Sequence, residues 1–454
     1  MSQRKLFGTD GIRGRANVFP MTGEIAFALG RAVTAHFQTN SKNKKPVIII
    51  GKDTRLSCYM LEQAFSAGVC SQGGKAILTG PLPTPGVAFV TQSMRADAGI
   101  MISASHNAYN DNGIKIFDRT GHKLPDEVEA ALEKMILNND LIPKKLDDEL
   151  GNAKRLDEVV GRYIVKVKQA LSEEYTLDGI RLVVDGANGA GYKVAPMAFA
   201  ELGADVVAMG NEPNGTNINL NVGALHPESC AEKVKKYRAD YGICLDGDGD
   251  RLTFINSNGK VIHGDQLLGV LAKFLAKTNK LGSANEVVGT VMSNLGLEKY
   301  VQSLGANFTR TKVGDRYIVE RMLHSNAVFG GEPSGHIIFK DFSTTGDGIL
   351  AALKVLECIK YFDCDLADLV EEVQLMPQLL KNIKVKEKKD FATLNSVQKT
   401  LKEVEGQLGN RGRVLLRYSG TENLARVMVE GEDDHLIDEC CEKLVDSVKN
   451  EIGV

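Results

Sequence analysis

Short β-branched runs that end in Gly or Asp, each followed by apolar residues at helical spacing, recur over the first three quarters of the chain. Such runs fit buried strands and the helical repeats fit the helices that cover them, so the alternation predicts an α/β fold. The first block has PVIIIGKDTR (46–55), a helix around LEQAFSAGVC (61–70), the strand KAILTG (75–80) and the run ADAGIMIS (96–103). The second has IRLVVDGANGAG (180–191), a helix through KVAPMAFAELG (193–203), the strand DVVAMG (205–210) and YGICLDGDGDR (241–251). The third has EVVGTVMSN (286–294), NFTRTKVGDR (307–316), AVFGGEPSGH (327–336) and a long helix after GDG (346–348). Three successive strand–loop–helix units of similar size point to a structural triplication.

The remainder of the chain changes style. NIKVKEKKDF (382–391) precedes a helix, the strands RVLLRYSG (413–420) and LARVMVEG (424–431), and a final helix from about His435. This reads as a separate α+β domain whose KEKK run is a solvated face. The polar, turn-rich segment NNDLIPKKLDDELGNAKRLDE (138–158) sets a boundary near 150, and NSNGK (256–260) reads as a hairpin turn. The expected domains are 1–150, 151–256, 257–371 and 372–454.

Composition narrows the class. With 55 Lys and Arg against 58 Asp and Glu, the net charge of −3 gives no one-sign field to hold a polyanion, so nucleic acid is not expected as a partner. No segment approaches the ~18–20 uninterrupted apolar residues of a membrane span, and MSQRKLFGTDGIRG lacks the apolar core of a signal peptide. Eight cysteines are scattered without a Cys-x-x-Cys pair, which suits a reduced cytoplasm and buried thiols. Adjacent Cys440 and Cys441 leave a redox pair open as an alternative.

Six segments could carry chemistry. In LDGDGDR, Asp246, Asp248 and Asp250 alternate with glycines straight after an apolar strand. Three carboxylates so close repel one another unless a cation sits among them, and hard oxygens on a flexed loop suit Mg²⁺. A calcium loop is disfavoured because its terminal Glu is missing, Ser257 standing there instead. SASHN places Ser103, Ser105, His106 and Asn107 after a strand, where α/β sites are built; a capping turn is the other reading. GEPSGH holds Glu332, Ser334 and His336 in a loop that fits sugar hydroxyls or is an ordinary glycine turn. RYSGTE, with Arg417, Ser419, Gly420 and Thr421, and then Arg426, offers hydroxyls, backbone donors and guanidinium to a phosphate. FGTDGIRG offers Thr9, Asp10 and Arg13, and KDTR offers Lys52 and Arg55; singly each reads as a surface ion pair or a turn.

FGTDGIRG, SASHN, DGDGDR, GE-x-SGH and R-x-SGTE, in that order across nearly the whole chain, resemble the α-D-phosphohexomutase family. The DNGIK, VMSNLGL and VGDRY segments are similar to its bacterial branch that acts on glucosamine phosphates. The resemblance implies three similar mixed α/β domains plus a C-terminal domain around a central cleft, and one Mg²⁺ per chain. It also implies interconversion of glucosamine 6-phosphate and 1-phosphate through an active-site phosphoserine and a 1,6-bisphosphate, feeding amino-sugar nucleotides for the cell wall. By motif position Ser105 is the phosphoserine and joins Asp246, Asp248 and Asp250 at the metal. Arg13 and Arg251 face that centre, and Lys115 and His106 assist proton transfer. Glu332, Ser334 and His336 meet the sugar, while Arg417, Ser419, Gly420, Thr421 and Arg426 hold the remote phosphate. A small sugar phosphate is the implied partner, and a homodimer is compatible with the family. Two positions depart from the pattern: Ala108 stands where the family has Pro, and Pro333 where this branch has Gln. Phosphoglucomutase or phosphomannomutase activity with the same mechanism is the near alternative, and a non-catalytic sugar-phosphate sensor the distant one.

Overall fold

The computed structural model describes residues 5–8, 10–40, 44–138, 141–419 and 423–454. Its sheets have seven, five, four and three strands. In each of the first three, a first strand (Val47–Lys52, Arg181–Asp185, Glu286–Thr290) pairs in parallel with the second (Lys75–Pro81, Asp205–Met209, Asn307–Thr311) on one side. A third strand (Ala98–Ile102, Tyr241–Leu245, Phe329–Gly331) joins it in parallel on the other side. The fourth (Asp111–Asp118, Leu252–Ile255, Ile337–Phe339) returns antiparallel to the third. The triplication expected from the chain is thus one connectivity used three times. The turn between third and fourth strands falls each time at the C-terminal end of the parallel strands, where α/β folds place their sites. Those three turns carry SASHN, DGDGDR and EPSGH.

Two expected domain edges move. Asn152–Arg155 adds to the first sheet beside Lys75–Pro81, and Val261–Ile262 closes the second beside Leu252–Ile255. The first was hidden because that edge strand is exposed at every residue and so shows no apolar alternation. The second boundary fell inside the expected hairpin, whose turn at 256–260 is present.

One hydrophobic cluster runs through the first three domains, from Ile49 and Tyr163 through Leu245 and Leu267 to Leu356. The helix Gly348–Phe362 is its hub. Asp347 caps it by accepting from the Ile349 and Leu350 amides, and its first residue reaches the metal-type loop through Gly348 N–H to Gly249 O at 3.0 Å. The fourth domain packs the antiparallel strands Gln378–Lys384, Leu424–Gly431 and Gly412–Tyr418 against the helices Asn395–Leu408 and Asp434–Ile452 around its own core of Val397, Val427 and Leu444. All eight cysteines are free thiols, and Cys440 and Cys441 are buried in the last helix without a disulfide. Among the described residues no helix is long and apolar enough to cross a membrane.

Candidate active site

Ser105 sits in a left-handed conformation (φ 52°), a strained state for a residue with a Cβ, so its surroundings must hold it. They do so from both ends. The Ser105 amide donates to Ser103 Oγ at 2.9 Å, and Ser103 Oγ donates to Asp53 Oδ2 at 2.6 Å. Arg55, fully buried, donates from Nε to Asp53 at 2.8 Å and from Nη2 to the Ser105 and Asn107 carbonyls at 2.9 and 2.8 Å. Its Nη1 holds the Ala108 carbonyl, which supplies rigidity at the position where Pro is missing. From the second domain, Asn219 Nδ2 donates to the same Ser105 and Asn107 carbonyls at 2.9 and 3.0 Å. The reading of Lys52 and Arg55 as surface groups is therefore corrected: Lys52 is buried on Glu62 at 2.7 Å, and Arg55 braces the serine loop. Neither burial nor a partner from a distant segment leaves a local signal in sequence.

So held, Ser105 Oγ donates to Asp246 Oδ2 at 2.6 Å and lies 3.3 Å from His106 Nδ1. Burial, aided by Arg251 and Arg13, pulls the His106 pKa down to about 4, leaving a neutral imidazole beside the hydroxyl near neutral pH. Asp246, Asp248 and Asp250 are all buried, with ligand oxygens within 4.8 Å of one another. Burial, then Asp250 and Asp248, push Asp246 up to about 8. Lys115 Nζ donates to Asp248 Oδ2 at 2.8 Å and Asp250 Oδ2 at 3.3 Å, and lies 3.6 Å from Asp10. Although burial opposes its charge, Asp10, Asp248 and Asp250 outweigh that and hold Lys115 well above the usual lysine range. Asp250 is held well below the carboxylate range against its own burial, chiefly by Lys115 and His336.

These groups open onto a cleft of about 670 Å³ between the first and third domains, with Asp250 and Arg251 of the second also in its lining. Arg13, Ser105, Lys115, Arg251, Glu332 and His336 line it. Asp10 pairs with Arg13, and Lys123 spans Asp10 and Asp315 at 2.5 and 2.6 Å, tying the two domains across the mouth. Glu332 is aimed by the Gly314 amide, which donates to Oε1 at 3.0 Å. His336 Nε2 accepts from Gly346 N–H at 3.1 Å, which turns Nδ1 toward Asp250 at 3.6 Å. Exposed Ser334 is not in the lining, nor is any described residue of the fourth domain. Arg417 and Arg426 lie directly opposite each other on neighbouring strands, and Ser419 follows them. Gly420 and Thr421, like Thr9, lie outside the described residues. Tyr418 has a structural place: its ring stacks on Phe391 at 4.3 Å and its hydroxyl donates to the Lys389 carbonyl.

Family models describing phosphoglucomutase/phosphomannomutase α/β/α domains I, II and III and the C-terminal domain match residues 4–142, 161–259, 263–376 and 380–447. The chain belongs to the phosphoglucomutase/phosphomannomutase family. It is therefore an isomerase of the phosphohexomutase type. It is 49% identical over 456 residues to a protein of Geobacter metallireducens named phosphoglucosamine mutase, covering 99% of each chain. Among solved structures it resembles a phosphoglucomutase/phosphomannomutase family protein from Burkholderia thailandensis (TM-score 0.82, 21% identity, all of both chains). It also resembles an Aspergillus fumigatus N-acetylphosphoglucosamine mutase in complex with GlcNAc-6P and magnesium (TM-score 0.70, 17% identity, 100% of this chain and 96% of the other).

In this phosphohexomutase the acidic loop fits a divalent cation on its own geometry. Asp248 Oδ1 and Asp250 Oδ1 are buried without hydrogen-bond partners, and Asp246 resists ionisation without added positive charge. Three converging hard oxygens of this kind suit Mg²⁺, whose remaining positions take water or phosphate oxygen.

Proposed function

We propose that the protein interconverts glucosamine 6-phosphate and glucosamine 1-phosphate, with Ser105 as the phosphoryl carrier and glucosamine 1,6-bisphosphate as the intermediate. The observation that carries this reading is Ser105 Oγ at 2.6 Å from Asp246, on a strained turn that opens into the cleft. Near-full-length relatives named phosphoglucosamine mutase support the choice of this sugar. Starting from phosphorylated Ser105, the bond from phosphorus to Oγ breaks as a bond to sugar O1 forms. The O1 proton passes to a neutral base, the role given to His106, and from it to the departing Oγ, which is left as a hydroxyl. The bisphosphate then turns over, and its 6-phosphoryl group returns to Oγ as the bond to O6 breaks and the Oγ proton passes through the same base to O6, releasing glucosamine 1-phosphate. Mg²⁺ at Asp246, Asp248, Asp250 and the Ser105 phosphate would offset charge on the transferring oxygens. Lys115 and Arg251 add fixed positive charge on either side, and Arg13 borders the path of the group. Glu332 and His336 meet the sugar, and Arg417, Ser419 and Arg426 grip the phosphate that is not reacting. The cytoplasm suits this chemistry, since its thiol pools would keep the eight cysteines reduced.

Peptide mass spectrometry after incubation with the bisphosphate should place phosphate on Ser105, and S105A should bind sugar phosphate yet lose nearly all turnover. Label on Ser103 instead, or normal turnover by S105A, would refute the carrier. Hexose specificity is the second reading, favoured by Pro333. Its carbonyl packs so tightly on Gly264 that a Cβ there would come within 2.2 Å, and proline offers no amide to the sugar. Comparing kcat/KM for glucosamine, glucose and mannose 6-phosphates decides between the two.

A further inference from the structure

The segment VMSNLGL lines no part of the cleft, yet it receives the fourth domain. Arg413, on the strand Gly412–Tyr418, donates from Nη1 to the Val291 carbonyl at 2.9 Å and from Nη2 to the Ser293 carbonyl at 2.8 Å. Its Nε is taken by Glu430, which is fully buried and also accepts from Gln378 at 3.0 Å. The receiving loop is stiffened from its own side by Arg310, which donates to the Thr290 carbonyl at 3.2 Å and to the Ser293 carbonyl, and is itself held on Glu298 at 2.8 Å. Next to it, Asn294 bonds both backbone groups of Met376, at 2.8 and 3.0 Å, just before the fourth sheet begins.

Register makes the placement meaningful. Arg413 lies opposite Glu430 and Arg417 opposite Arg426 in one antiparallel ladder. Residues four apart on a strand share a face and lie roughly 14 Å from each other, so the docked pair and the two facing arginines occupy the two ends of one stiff element. The Nε atoms of Arg417 and Arg426 are buried without partners, and like charges directly opposed on a ladder call for an anion.

We propose that Arg413 is a positioning residue: its fork on the Val291 and Ser293 carbonyls is the pivot that returns Arg417 and Arg426 to the same place over the cleft in every closure. This rests on the mutase reading above. The pivot is a cation on neutral carbonyls, so it fixes a point of attachment without locking an angle, and the Asn294–Met376 pair fixes the second point of a hinge line.

The test combines kinetics with solution scattering. R413A should raise KM for glucosamine 6-phosphate at least about tenfold while kcat falls less than about threefold, because the remote phosphate loses its grip and the reacting centre is untouched. R413K keeps a cation beside Glu430, so it should fold, and its ammonium cannot span both carbonyls; KM should still rise at least roughly threefold. In an R417A background, R413A should add less than about twofold, since both act through one clamp. Without ligand, R413A should show a larger maximum dimension than the parent. Parent-like KM in R413K, or losses that multiply in the double variant, overturns the proposal. If the parent shows no mutase turnover, the functional reading fails and the scattering arm decides alone: identical curves for R413A and parent remove the pivot.

Discussion

Asp248 commits one oxygen to Thr84 Oγ1 at 2.6 Å and to Lys115 at 2.8 Å, and leaves the other buried with no partner. D248N therefore separates two roles. The amide oxygen can still accept from Thr84 and Lys115, so the fold should persist. The charge that a hard cation needs is gone, and turnover should fall by at least ~10²-fold, about 3 kcal/mol of transition-state stabilisation. Activity and thermal stability measured against Mg²⁺ concentration check this: the parent should gain stability with the ion and D248N should not. Parent-like turnover by D248N would place the cation elsewhere. This triad was legible in sequence because its chemistry is packed into five consecutive residues. Arg55 and Asn219 were not legible, since each is an ordinary polar residue whose meaning comes from carbonyls 50 and 114 positions away.

At the scale of elements, the three third-to-fourth-strand turns must come close together, and glycines set how close. A Cβ on Gly247 would stand 2.5 Å from the Ser105 carbonyl and 2.9 Å from Asn219 Nδ2. G247A should force the serine and acidic turns apart while removing no functional group. Its far-ultraviolet dichroism should match the parent while turnover drops at least about tenfold, a loss typical of misplaced reacting groups. Unchanged turnover would mean that the turns have slack at this contact. The strands behind these turns were legible as apolar runs because both of their faces are covered. The edge strand Asn152–Arg155 was not, for a polar, fully exposed ribbon is defined by its ladder rather than by its side chains.

The whole molecule divides into a three-domain body with a continuous core and a fourth domain with its own. Since no described residue of the fourth domain lines the cleft, substrate phosphate should draw it inward, and solution scattering should show a smaller radius of gyration with glucosamine 6-phosphate present. An unchanged radius at saturating ligand would contradict closure. The fourth domain was recognisable by its changed pattern, but its seat on the third was not, because it is made of backbone carbonyls that no residue type announces. The division of the site among three equivalent turns also bears on how the protein comes off the ribosome. Ser105 and Lys115 are synthesised first, well before the aspartates at 248 and 250 that match the lysine's charge. Until those emerge, the carboxylate that the described residues of the first domain bring to Lys115 is Asp10, at 3.6 Å, so the nascent chain gains its finished interior in the order in which its charges arrive.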